Sequence, residues 1–214
     1  MRIAIVILLI AISTIGYGQI KCSCDSQTWM KESVSCKPTI LKNGSKLYYQ
    51  FDCDSAWFTL ENAKHKKTIL FSLPAELTGY THRLGYYLIK EYKETLLFRY
   101  GCPANGPCSH VLINKTTGKK VKEFDELIYG LDYTKTDYIL YFTTEKRNSL
   151  TLYYINTGKY YRIPVNPRDF TGVTPEYEFD KPKLAKNILT LFYESSATDP
   201  VKKKLRINLT KLHK

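Results

Sequence analysis

Short apolar stretches separated by clusters of turn residues fill most of this chain. Lys46–Asp52, Ala56–Leu60, Lys67–Leu73, Thr95–Tyr100, Tyr138–Thr143, Leu150–Ile155 and Ile188–Tyr193 are rich in aromatic and branched residues. Glycine, proline, asparagine or aspartate bounds most of them, the pattern of strands joined by tight turns. After the first residues no window of a dozen carries an apolar stripe at helical spacing. The pattern predicts an all-β protein of antiparallel strands. Glu123–Tyr129 fits either one turn of helix or a strand with its loop.

The strands recur in a similar order. Leu96–Tyr100 precedes Val111–Lys120, which ends in Asn-Lys-Thr-Thr-Gly-Lys-Lys, and Val121–Phe124 follows. Forty residues on, Tyr138–Thr143 precedes Leu152–Lys159, which ends in Asn-Thr-Gly-Lys, and Tyr160–Ile163 follows. Gly118 and Gly158 supply the positive φ of a tight hairpin. Fainter copies run from Lys46 through Trp57–Asn62 to Leu73, and from Ile188 to Lys204–Asn208. Phe58, Val111, Leu152 and Leu205 are spaced by 53, 41 and 53 residues. Such spacing of antiparallel strands predicts about four blade-like repeats in a propeller-like arrangement, the alternative being a β-sandwich or meander. Tyr86–Tyr92 and Leu127–Tyr133 supply leading strands for the two central copies. The last copy lacks a final strand, which Gln19–Thr39 is expected to supply.

The N-terminus changes the picture from a β domain to an exported one. Met1 and Arg2 give a positive start, Ile3–Ile12 is uncharged, and Gly16 and Gly18 put small residues before Gln19. That order is a secretory signal, too short in its apolar part to span a bilayer. The expected organisation is a signal peptide over 1–18, a disulfide-rich N-terminal arm over 19–45, and an all-β domain over 46–214. No later run is long enough for a transmembrane segment, so a secreted, periplasmic or cell-envelope location follows.

Six cysteines, Cys22, Cys24, Cys36, Cys53, Cys102 and Cys108, fit that oxidising destination. Cys102 and Cys108 enclose a turn-rich loop and are expected to bond. Cys22 and Cys24 are too close to bond each other without strain, so they pair with Cys36 and Cys53 in an order the spacing leaves open. A zinc site on these four fits the spacing poorly.

Charge and composition narrow the partners. The formal net charge is +12, and 18 tyrosines suit half-exposed strands and binding surfaces. The excess favours an anionic glycan or lipid surface, or a partner protein; nucleic acid is not expected. Trp57, Tyr153, Tyr160, Tyr161 and the run Lys202, Lys203, Lys204 are the candidate binding surface. The segment Val201–Lys214 also fits a lysine-protected edge strand.

Catalytic signals are weak. His65, His82, His110 and His213 show no metal-binding spacing, and no nucleophile elbow, phosphate loop or dinucleotide fingerprint is present. Asp52, Asp54 and Glu61 around Trp57 are the one carboxylate group that glycoside hydrolysis could use, although Asp-x-Asp at a strand end is the composition of a turn cap. No cofactor and no catalytic residue is assigned. The expectation is a non-catalytic binding protein of the envelope or extracellular space, the alternatives being a secreted hydrolase of glycan or peptide, or an inhibitor or immunity-type protein.

Overall fold

The structure is a computed structural model and describes residues 21–26, 28–124, 126–127, 137–143, 146–172, 178–180, 183–195 and 201–212. The expected signal peptide and His213 lie outside these, as does most of the expected strand Leu127–Tyr133.

The strands form four antiparallel sheets that follow one another along the chain, each an up-and-down meander and none closed into a barrel. The first sheet holds β1 (Thr39–Ile40), β2 (Lys46–Phe51), β3 (Ser55–Glu61) and β4 (Lys67–Pro74). The second holds β5 (Tyr87–Glu91), β6 (Thr95–Tyr100), β7 (Ser109–Asn114) and β8 (Lys120–Phe124). The third holds β9 (Glu126–Leu127), β10 (Tyr138–Phe142), β11 (Ser149–Tyr154) and β12 (Tyr160–Pro164). The fourth has three strands, β13 (Lys183–Ala185), β14 (Ile188–Glu194) and β15 (Lys202–Asn208). Of the segment expected as a helical turn or a strand, Glu123, Phe124, Glu126 and Leu127 are in strand geometry, the first two in β8 and the last two in β9.

The middle strands are apolar on both faces because both faces are covered. Along β6, Leu96 and Phe98 join Leu47, Phe58 and Leu60 of the first sheet, whereas Leu97 between them joins the cluster shared with the third. Val111, Leu112 and Ile113 of β7 alternate in the same way. With side chains alternating across a strand, a run of consecutive apolar residues is what packing between two layers demands. Phe58 and Phe98 meet edge to face at 5.9 Å. Each such side chain taken out of water contributes roughly 2 kcal/mol. The third and fourth sheets continue the core through Leu140, Phe142, Leu150 and Leu152 against Leu189 and Leu191. The last strands β4, β8 and β12 are mostly exposed or half-buried, with Leu73 of β4 and Phe124 of β8 buried, as edges with one wet face should be.

The N-terminal segment packs on the end of the first sheet. Cys22 bonds to Cys36 and Cys24 to Cys53, an order the spacing did not decide. Cys22 also makes a parallel bridge to Phe51, and Met30 and Val34 are buried with Phe51, Ala56 and Ala75. In the chain-entropy account each of these two bonds contributes about 3 kcal/mol. Cys102 bonds to Cys108 across the β6–β7 connection. Among the described residues no strand from 21–38 joins the fourth sheet, so the expected supply of its final strand from Gln19–Thr39 is corrected. The disulfides and the apolar side chains of that segment anchor it to β2 and β3 instead.

Candidate ligand-binding cleft

Two hairpins are built on the same turn, and the second of them borders the site. After β7, Asn114 N–H donates to the Lys119 carbonyl at 2.9 Å and Gly118 N–H to the Asn114 carbonyl at 2.9 Å. After β11, Tyr154 N–H donates to the Lys159 carbonyl and Gly158 N–H to the Tyr154 carbonyl, both at 2.8 Å. Gly118 and Gly158 have φ of 67° and 68°, left-handed positions where a Cβ is costly. Thr117 and Thr157 hydroxyls accept from the N–H of Lys119 and Lys159. Each turn is also tied to the chain before its sheet's second strand: Lys115 N–H donates to the Glu94 carbonyl and Ile155 N–H to the Asp137 carbonyl.

What surrounds the two turns differs. The β7–β8 turn is filled by its neighbour, because Asn62 of the β3–β4 turn donates its side-chain amide to the Thr116 carbonyl at 3.0 Å. A Cβ on Gly118 would lie 2.7 Å from the Thr68 methyl. The β11–β12 turn instead borders an open cleft of about 340 Å³, lined by Asp137, Tyr154, Asn156, Thr157, Lys159 and Tyr161.

Strand register builds the cleft wall. Tyr161 lies opposite Leu152 and Tyr138 opposite Tyr154, so both cleft tyrosines project from one face of the third sheet. Their rings stand nearly perpendicular, with centroids 6.0 Å apart. Asn156 donates its amide to Asp137 Oδ2 at 2.7 Å, fixing that carboxylate at the rim beside the exposed Lys159. Burial, and then the neighbouring Tyr161, raise the Tyr154 hydroxyl above the usual tyrosine value, so it remains a neutral phenol. The cleft thus offers apolar ring surface, a hydrogen-bonded carboxylate–amide pair and a cation. Ring surface with a few polar groups at the rim is the ordinary make-up of a small-molecule site.

The candidate surface residues from the sequence are dispersed. Tyr161 is in the cleft, and Tyr160 beside it is exposed on the opposite face. Tyr153 is buried, its ring 5.6 Å from Phe124, so it packs the second sheet on the third. Trp57 is half-buried and donates its indole N–H to Gln50 Oε1 at 3.2 Å. Lys202 and Lys204 are exposed on β15, whereas Lys203 on the other face reaches Asp169 at 2.5 Å.

Asp52, Asp54 and Glu61 form no paired site, for Asp52 and Asp54 precede β3 and Glu61 is its last residue. Asp52 Oδ1 accepts from the N–H of Asp54 and Ser55, a turn cap, and the Lys21 ammonium holds its carboxyl below the ordinary range. Burial pushes the Glu61 carboxyl up, but hydrogen bonds from His65, Tyr48 and Lys46 outweigh it and leave it below its ordinary value. His82 is exposed; His110 is buried in β7, where desolvation and the nearby Arg99 lower its pKa to about 4. Among the described residues no group of three or more acidic, cysteine or histidine side chains could hold a metal ion.

Asp137 and Asn156 were not singled out from the sequence. The signal available was Asn156 in the Asn-Thr-Gly-Lys turn; its partner comes from the segment before β10, nineteen positions earlier. No family model matches the chain, and no curated protein matches it.

Proposed function

We propose that this chain is an exported binding protein that takes a saccharide in the β11–β12 cleft. The observation that carries this reading is the pairing of two tyrosine rings with the Asp137–Asn156 hydrogen bond on one wall. A sugar ring lays its C–H face on a tyrosine, while a carboxylate and an amide 2.7 Å apart accept from and donate to neighbouring hydroxyls. Lys159 at the rim favours a sugar with a carboxylate or other anionic substituent. Binding rather than hydrolysis is supported by the state of Asp137, whose oxygen is already held by an amide rather than poised opposite a second carboxylate.

The fold reading that accompanies this is a blade-like arrangement, with the four meanders set side by side and their middle strands the most buried. It is supported by the succession of cores, first sheet on second and second on third and fourth, and by the exposure of β4, β8 and β12. Export is supported by the three disulfides, which persist in oxidising compartments, and by the signal-like first residues. No helix among the described residues is long and apolar enough to cross a membrane.

A glycan array probed with the mature protein tests the reading, followed by calorimetry on any oligosaccharide retained. Wild type binds at least one class of glycan, and Tyr161→Ala and Asp137→Ala each weaken it tenfold or more. Equal binding by wild type and both variants places the site elsewhere, and an array without retained glycans refutes saccharide binding. Mass spectrometry of secreted protein checks export: cleavage near Gln19 is expected, and an intact N-terminus contradicts it.

A further inference from the structure

Among the described residues the fourth sheet is one strand narrower than the other three, and the difference falls at its outer edge. In the second sheet the third strand, β7, ends at Asn114, whose Oδ1 accepts from Thr116 N–H at 3.0 Å, and β8 then returns along it. In the fourth sheet the third strand, β15, ends at Asn208, whose Oδ1 accepts from Thr210 N–H at 3.0 Å. Among the described residues the chain does not return along β15. Leu209 N–H bonds to the Asn187 carbonyl, its side chain is buried, and a 3-10 helix over Leu209–Leu212 follows, in contact with β14. Among the described residues no strand pairs with the outer side of β15.

We infer that this edge accepts a fourth strand from a partner protein, an extended segment with acidic side chains at alternate positions. Half of the N–H and C=O groups of β15 face that open side and are a template for strand addition. Lys202, Lys204 and Arg206 are exposed on one face of the strand, at every second residue. Glutamates or aspartates two apart on an incoming strand repeat at the same interval and lie directly opposite these cations. On the other face Leu205 is half-buried and Ile207 buried, so apolar residues between the acids continue the core.

The same cations exclude the simplest rival occupant. Two copies of this chain joined edge to edge would oppose Lys202, Lys204 and Arg206 to one another, and directly opposed like charges are destabilising. An irregular polyanion could meet the cations but would leave the backbone groups of β15 unpaired, which is how the test separates it from a strand.

The probe is a ten-residue peptide of alternating glutamate and valine, with alternating lysine and valine as control, added to the full mature chain. The acidic peptide is expected to bind, to slow amide exchange in β15 selectively, and to weaken at least tenfold against the variant Lys202→Glu/Lys204→Glu/Arg206→Glu. Those residues are exposed, and an unchanged melting temperature establishes that the variant folds. Protection of β15 by the acidic peptide alone supports the inference. Binding without β15 protection, or equal binding of both peptides, overturns it, as does an absence of binding. None of these outcomes bears on the saccharide cleft, which lies on another sheet.

Discussion

The β7–β8 and β11–β12 turns share a backbone, a Thr-Gly-Lys tip and a tie to the preceding segment, yet one is filled and the other is open. Around Gly118 the first sheet supplies Asn62 and Thr68; around Gly158 the nearest atom a Cβ would meet is the Tyr153 hydroxyl at 3.9 Å. Turn chemistry therefore sets the hairpin, and the neighbouring sheet decides whether it is packed over or borders an open cleft. The forty-residue offset also matches side chains: Lys115 stands where the third sheet has Ile155, and His110 where it has Leu150. Exchanging such pairs tests how far the two sheets differ in what they tolerate.

The largest effect is expected at Lys115. It is buried, and its ammonium lies 2.6 Å from Glu91, itself nearly covered. Lys115→Ile, the residue of the third sheet, leaves the Glu91 carboxylate without its cation. It should cost about 3 kcal/mol, read as a lower urea midpoint at unchanged slope. Adding Glu91→Leu should recover most of that loss, since a buried ion pair and a packed apolar pair are close in stability. A double variant as unstable as the single one would show that Glu91 matters chiefly for its bond from Lys42 N–H at 3.0 Å.

His110 gives a pH-dependent contrast. Its pKa is lowered from 6.5 to about 4 in the folded protein, first by desolvation and then by Arg99. Above pH 6.5 the ring is neutral in both states and the folded protein has its full stability. Between pH 6.5 and 4 the unfolded chain takes up a proton that the folded one does not, so stability falls by up to about 3 kcal/mol. Below that window this residue adds no further loss. His110→Leu should flatten the urea midpoint from pH 6.5 down to about 4.5, where the carboxylates begin to titrate. The same slope in wild type and variant would assign it to other groups.

Smaller differences are expected at the glycines. Gly118→Ala meets both an unfavourable φ and Thr68, for about 2–3 kcal/mol; Gly158→Ala meets only the unfavourable φ, for about 1 kcal/mol. Equal shifts in melting temperature would mean that the first sheet yields at no cost. The smallest effect on stability belongs to Tyr161→Phe, a half-buried ring that keeps its packing, at less than about 0.5 kcal/mol.

The strands were legible because they carry their own signal. Runs such as Leu96-Leu97-Phe98 and Val111-Leu112-Ile113 are apolar at every position, and both faces of β6 and β7 are covered. The left-handed glycines followed from Thr-Gly-Lys alone. The cleft was legible only in part, through Tyr161, because its polar pair joins Asn156 to Asp137 across a strand and a turn. Tyr153 and Tyr161 look alike in sequence; register sends one into the core and the other into the cleft. The place of the N-terminal segment was not legible either, since two disulfides and the side chains of Met30 and Val34 fix it, rather than any strand pattern.

The most direct test of the central claim, that the open turn is a ligand site while its filled twin is not, is an NMR titration of the mature protein with a glycan retained on the array. The Asn156 side-chain amide and the Tyr154 and Tyr161 ring signals are expected to shift with one common affinity, while Asn62, Thr116 and Gly118 stay still. Shifts confined to the β3–β4 and β7–β8 turns, or none at the three cleft residues, would contradict it.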